Sequence, residues 1–324
     1  MPAPGASRTM DVAVNIPTSV GESEASNFPF ADRVRWADQR SFARAAERLG
    51  YDGIAAPDHL MTGDGPTTEC LTTLTGLASE TEEAYLYPKT VNNELRHAPL
   101  VAKACATLDR VSDGRLKLGM GAGWKADEAE AYGYDWDDAP TRLRRMEEAV
   151  EVIKRLWTEE RVDHDGDHYQ LSGAVCTPHP VQEPRPPIMI GGPGEEFTLR
   201  IAAQHADCWN CWGSHEFYEH KLDVLADHCD TYGTDYDAIQ KSWFGRCVLR
   251  ETEAEVEALL ERVPRFRPEN HGEGMTHLVG TPATVAGDLE RFRALGVEEC
   301  VVEFVDYPET TGAELFVDEV LPAL

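Results

Sequence analysis

The sequence predicts an α/β fold, a (β/α)8 TIM barrel with insertion segments, and three observations lead there. Eight short apolar runs are spread over the 324 residues, amphipathic helical segments lie between them, and a Gly or short polar turn closes helices just before the next run. Alternation of that kind builds βα units around a parallel sheet. Eight such units in a chain of this length make one barrel. A single domain over residues 1–324 is expected, with 1–9 as a flexible N-terminus.

Strands are expected at residues 10–16, 53–56, 84–91, 115–119, 187–191, 207–210, 242–249 and 300–304. After the first, "FARAAERLGYDGIAAPDHL" carries a helix to Gly50, a stop signal, and then a strand. "PLVAKACATLDRVSDGRLKLG" repeats the pattern, with Pro99 placed for a first turn and Gly114 for the stop. A helix over 142–157 follows from Leu143, Met146, Val150, Ile153 and Trp157 at helical spacing. "LRIAAQHADCWNCW" and "DLERFRALGVEECVVEF" are two further versions, the latter with Gly296 as stop. Two insertions interrupt the repeat. The stretch 158–186 holds "RVDHDGDHYQL", two short runs around an Asp-Gly turn and hence a hairpin. Its Asp163, Asp165 and Asp167 loosely resemble a calcium loop, but the glycine is misplaced, so turn chemistry is preferred. The stretch 250–280 is expected to be helix and loop.

Composition narrows the partners. Asp and Glu number 58 against 30 Lys and Arg, of which seven are Lys, for a formal net charge of −28. Such a surface repels phosphodiester backbones and anionic lipid, so neither nucleic acid nor membrane is expected as a partner. The acidic excess is spread along the chain, a coat suited to screening in a high-salt cytoplasm, and a halophilic source is expected. No basic segment followed by an apolar run marks a signal peptide, and no apolar stretch approaches the roughly 20 residues that span a bilayer. Eight cysteines without framework spacing fit reduced thiols in a cytoplasm. Cys208-Trp-Asn-Cys211 lacks a second pair to complete a zinc site, and buried packing is preferred over metal or redox use.

The stretch "LKLGMGAGWK" (116–125) has the look of a nucleotide-binding loop. A dinucleotide fingerprint, however, follows the first strand of its unit and leads directly into an apolar helix. This one follows strand four, and "KADEAEAYGYDWDD" beyond it is acidic and loop-like, so Rossmann-type binding is set aside. At the C-terminal face of a barrel, small residues still let backbone approach a flat ligand. Strand two ends in Asp58-His59. A histidine there has the chemistry of an acid, a base or a hydrogen-bond donor; the plainer reading has Asp58 capping a loop and His59 packing. Strand three ends in Lys89-Thr90-Val91-Asn92-Asn93, where asparagines after a β-branched pair suggest a bulge. Strand five runs through Ile190-Gly191-Gly192-Pro193-Gly194-Glu195 into a helix. That turn exposes amides ahead of a positive helix end and suits a phosphate, though a tight turn alone also accounts for the glycines.

Five blocks together carry a resemblance: "GYDGIAAPDHL", "RHAPLVAKACATLDRVSDGRLKLGMGAGWKADEAEAYG", "RLRRMEEAVEVIKRLW", "PHPVQEPRPPIMIGGPGEEFTLRIAAQHADCWN" and "GTPATVAGDLERFRALGV". They resemble the luciferase-like monooxygenase family, and within it the coenzyme F420-dependent oxidoreductase branch, from about Met10 to the end. The resemblance implies a TIM barrel, usually a homodimer, with FMN or the deazaflavin F420 at its C-terminal mouth. It puts His59 near the reactive centre of the ring with Asp58 beside it as the catalytic pair. It puts a non-prolyl cis peptide at Thr90–Val91, with Asn92 next to it, as a bulge behind the ring. Gly121, Gly123 and Trp124 would line the ring or ribityl chain, and Gly191, Gly192 and Gly194 would meet the phosphate; no metal is implied. Where the sugar-phosphate dehydrogenase branch has a Glu directly after its Gly-x-Gly, this chain has Trp124, which counts against glucose 6-phosphate oxidation.

The expected activity is hydride transfer between F420 and an unknown small organic substrate. One alternative is an FMNH2-dependent two-component monooxygenase, alkanesulfonate monooxygenase-like and served by a flavin reductase. Another is a barrel that binds flavin without turnover. A metal-dependent barrel hydrolase would need clustered ligands at several strand ends, and Asp58-His59 alone qualifies. The F420 tail carries further carboxylates, so cations are expected near the mouth, with Arg96, Lys125 and Arg142 as candidates. Substrate choice falls to loops around 17–30, 60–66 and 250–280.

Overall fold

The structure, a computed structural model, describes residues 10–20, 27–63 and 65–324. The segment expected at 1–9 and part of the 17–30 loop lie outside these. In chain order the first half holds β1 (Asp11–Asn15), α1 (Trp36–Leu49), β2 (Gly53–Ala56), α2 (Cys70–Ala78), β3 (Tyr85–Pro88), β4 (Val91–Asn92), α3 (Ala98–Val111), β5 (Leu118–Gly121), α4 (Ala126–Ala131) and α5 (Ala139–Thr158). The second half holds β6 (Val162–Asp165), β7 (Gln170–Ala174), β8 (Ile188–Gly191), α6 (Thr198–His205), β9 (Cys208–Cys211), α7 (His215–Tyr232), β10 (Gln240–Leu249), α8 (Glu253–Leu260), β11 (Leu278–Gly280), α9 (Pro282–Ala294), β12 (Glu299–Phe304) and α10 (Thr311–Leu315).

One sheet runs β3-β2-β1-β12-β10-β9-β8-β5-β4 with every neighbouring pair parallel. Its ends meet, because β3 and β4 are successive pieces of the third strand. Leu86 of β3 pairs with Leu116 just ahead of β5, its amide on Arg115 O at 2.8 Å and its carbonyl under the Lys117 amide at 3.1 Å. Nine strands thereby fill eight positions of a parallel barrel. Ala13, Ala55, Tyr87, Met189, Cys208 and Val301 pack along its axis. Below them Lys117 reaches Glu299 at 2.6 Å and Gln240 at 3.0 Å, so the buried ammonium is satisfied. A larger core lies between strands and helices.

Helices form where the apolar spacing required. On α5, Met146, Val150, Ile153 and Trp157 are buried, and Asp138 caps the start by accepting the Thr141 amide at 2.9 Å. Gly50 ends α1 at φ 88°, a conformation that favours glycine. The hairpin expected around the Asp-Gly turn is present as β6 and β7.

Four segments differ from expectation. The strand expected at 115–119 begins three residues later. Arg115 instead turns aside, donating to the carbonyls of Ala78, Thr81 and Ala84. The strand expected at 84–91 is broken between β3 and β4. The acidic segment after Lys125, expected as loop, contains α4. Within 250–280, expected as helix and loop, β11 pairs in parallel with Cys247–Leu249 of β10; three residues are too few to leave a period in the sequence.

Candidate active site

A cavity of about 580 Å³ opens at the C-terminal ends of the barrel strands, the face on which barrels build their sites. The segments leaving β2, β3, β5, β8 and β9 all reach it. Asp58 and His59, Thr90 and Asn92, and residues 121–125, 191–193 and 210–212 therefore share one lining.

His59 is held from two sides. Its Nδ1 lies 3.0 Å from Glu128 Oε2, and its ring meets the Trp124 indole edge-on at a centroid separation of 5.7 Å. Glu128 stands on α4 with its side chain fully buried. Its other oxygen accepts the amides of Leu60 and, at 2.9 Å, Met61. A carboxylate is an acceptor only, so Nδ1 carries the proton, and Nε2, which bonds no described group, is the nitrogen left for a ligand.

Asp58 is buried as well. Arg96 forks onto its two oxygens at 2.5 and 2.8 Å, and the Asn92 amide donates to it at 2.9 Å. Burial pushes the Asp58 carboxyl up, while the guanidinium and the amide hold it down. Burial also opposes charge on Arg96, but the paired carboxylates of Asp58 and Glu69 outweigh it and raise its pKa. Of the three cations expected at the mouth, Arg96 is thus engaged within the wall. Lys125 and Arg142 do line the cavity. Lys125 pairs with Asp127, and Arg142 is fixed by Ala122 O at 3.2 Å and the Trp136 ring at 4.0 Å.

The third strand supplies the back wall. The peptide between Lys89 and Thr90 is cis, one residue earlier than the resemblance implied at Thr90–Val91. Val91 is fully buried in the outer core, so Thr90 and Asn92 are the members of that trio that line the cavity. Three glycines make room for the bulge. A Cβ at Gly119 would overlap Pro88 O, one at Gly121 would overlap Thr90 Oγ1, and one at Gly191 would stand 2.7 Å from Thr90 Cγ2. A Cβ at Gly123 would strike the Asn92 carboxamide. The glycines of "LKLGMGAGWK" therefore answer to a neighbouring strand, and β5 and β8 present backbone rather than side chain to the cavity.

The turn after β8 is only partly available to a ligand. Gly192, at φ 122°, donates its amide to Asn210 O at 3.0 Å, and its carbonyl accepts the Trp209 indole N–H at 2.9 Å. The amides of residues 194–197 donate to no described group and stand ahead of α6. Donors for an anion therefore lie later in the turn than Gly191 and Gly192. Gly194 packs on Thr198 and lies off the cavity lining.

Sequence reasoning missed Glu128, because three acids within the six residues of α4 leave no apolar period. It gave no role to Lys89, although it placed that residue at a strand end, nor to Trp212 and Phe244, and all three line the cavity. Trp212 follows the end of β9 and could have been found there, whereas Phe244 lies mid-strand on β10. Lys89 Nζ stands 3.3 Å from the centre of the Phe244 ring, and burial lowers its pKa to about 8. Cys208 and Cys211 are three residues apart on one strand and so face opposite sides, the first in the barrel axis and the second in the outer core. All eight cysteines are free. Among the described residues no cluster of three or more His, Cys, Asp or Glu could hold a metal, and no helix is long and apolar enough to cross a membrane.

The model of the luciferase-like monooxygenase family matches residues 10–277. An F420-dependent glucose-6-phosphate dehydrogenase of Microbacterium testaceum is 26% identical over 312 residues, covering 87% of this chain and 92% of its own. An FMNH(2)-dependent dimethylsulfone monooxygenase of Pseudomonas putida is also 26% identical, over 320 residues, covering 87% of this chain and 86% of its own. A solved F420-dependent secondary alcohol dehydrogenase, in complex with an F420-acetone adduct, superimposes with a TM-score of 0.81 over 97% of this chain and 99% of its own; at 19% identity this is a likeness of fold. Matched over most of its length, the chain belongs to the luciferase-like monooxygenase family.

Proposed function

We propose that the protein is an oxidoreductase that transfers hydride between coenzyme F420 and a small organic substrate at the mouth of its barrel. The observation that carries the reading is the wall built by Thr90, Gly121 and Gly191. Side chains are excluded from β5 and β8 there, which leaves a flat backbone surface of the kind a tricyclic ring requires. The unpartnered amides of residues 194–197, outside the cavity lining but between its members Pro193 and Thr198, are the donors we assign to the ribityl phosphate that F420 and FMN share. The cavity of about 580 Å³ lies in the range of cofactor sites. When bound, F420 supplies a ring carbon that gives or takes a hydride and reacts little with oxygen.

The chain's own residues orient and move protons. Glu128 fixes the tautomer with the proton on Nδ1, so His59 Nε2 accepts from a substrate hydroxyl, and the doubly protonated ring donates Nε2–H to a carbonyl oxygen in the reverse direction. Asp58, through Arg96 and the Asn92 amide, ties the end of strand two to the bulge and so positions His59 against the wall. Trp124 closes the outer side of the imidazole. The similarity to the dimethylsulfone monooxygenase along 87% of the chain favours a second reading, an FMN-dependent monooxygenase supplied by a partner reductase. Absorbance titration of the cofactor-free protein with each compound decides between them. F420 is expected to bind; micromolar binding of FMN with none of F420 overturns the proposal.

A further inference from the structure

Six of the seven lysines place Nζ on an oxygen of the protein. Lys103, Lys154 and Lys241 meet the carbonyls of Thr177, His205 and Tyr236, Lys117 meets Glu299 and Gln240, Lys125 meets Asp127, and Lys221 meets Glu195. Lys89 does not. It continues the inward face of Tyr87, two residues earlier on the strand, and enters the cavity above the barrel axis. Its backbone is fixed through its amide on Ala56 O at 2.8 Å. Its ammonium rests on the Phe244 ring at 3.3 Å and makes no hydrogen bond or ion pair with a described group. The carboxylate that faces it, Glu303, is engaged on both oxygens, by Arg246 Nε and by Asn15 Nδ2, each at 2.5 Å. Lys89 is half-buried at the cavity wall, so an ammonium with no acceptor from the protein stands ready there for a ligand oxygen to complete it.

Resting on the F420 or FMN reading of the cavity, we infer that Lys89 receives the negatively charged oxygen of the substrate, so that the substrate class is a small organic anion, a carboxylate in the first instance. Arg246 already pairs with Glu303, which leaves the charge of Lys89 unanswered by any described group in a protein of net charge −28. His277, whose pKa burial and then Arg246 lower to about 3, adds no charge. The depressed pKa of Lys89 is what a cavity waiting for an anion would show, since an anion restores the charged form.

The test uses two pairs of molecules alike in shape and different in charge, acetate with acetamide and benzoate with benzamide. Calorimetry on the protein loaded with whichever cofactor it takes should show each carboxylate binding about tenfold or more tighter than its amide. Lys89→Met should abolish that preference and Lys89→Arg should keep part of it, with cofactor affinity unchanged in both. Carboxylate affinity should fall as the pH rises through about 8, where the ammonium facing Glu303, Arg246 and Cys211 loses its proton. Equal binding of acid and amide, no carboxylate binding, or a preference that survives in Lys89→Met overturns the inference. So does a loss of cofactor affinity in Lys89→Met, which would assign Lys89 to the cofactor. The same titration on cofactor-free protein still reads the anion site if neither cofactor binds, so the two failures remain separate.

Discussion

At Glu128 three donors converge on one buried carboxylate: the His59 imidazole and the amides of Leu60 and Met61. Glu128→Ala would leave all three facing a hole and is expected to cost about 2–4 kcal/mol of stability, read as a lower unfolding temperature. Glu128→Gln is the sharper variant. Its amide oxygen still serves the backbone donors, but its NH2 meets Nδ1 and forces the proton to Nε2. Folding should survive, cofactor affinity should change by less than about threefold, and turnover at saturating cofactor should fall by about a hundredfold. Full turnover in Glu128→Gln would remove His59 from proton transfer. None of this could be read from the sequence, where Glu128 is one acid among 58. Position relative to His59 comes from the short helix α4, and a helix of six residues announces itself weakly.

The elements themselves were legible because each buries a periodic face. The spacing of Met146, Val150, Ile153 and Trp157 fixed α5, and near-continuous apolar runs fixed β1 and β12, as strands covered on both faces require. The break in strand three was not legible to the residue, since a bulge is decided by what the neighbouring strands leave room for. Here the glycines hold the information. Gly121→Ala should destabilise by about 1–3 kcal/mol through overlap with Thr90. Thr90→Ala in the same chain should return most of that loss, because the remaining Thr90 Cβ would be 3.4 Å from the new methyl, an ordinary contact. Thermal unfolding of the two single variants and the double completes the cycle; strictly additive losses would mean that Gly121 is glycine for another reason.

At the scale of the whole molecule, charge governs behaviour. With 58 acids against 30 cations and a net charge of −28, like charges repel across the surface of the compact state. Salt shortens the reach of that repulsion to about 3 Å at 1 M. The unfolding temperature should therefore rise by several degrees between about 0.1 and 2 M KCl, and equimolar sucrose should not reproduce the gain. A flat or falling curve in KCl would separate the acidic coat from adaptation to salt. The barrel beneath is indifferent to this repulsion, for its buried pairs, such as Lys117 with Glu299, are shielded from bulk ions.

Thr90 touches the space of both Gly121 and Gly191, and that has a bearing on how such a sequence changes over time. Neither glycine is free to acquire a side chain while the threonine stands, and once the threonine shrinks either position opens. Substitutions at these three sites are therefore order-dependent: the same pair of changes is tolerated in one sequence of events and purged in the other. A wall that looks like two independent choices of glycine is a single inherited decision made at Thr90.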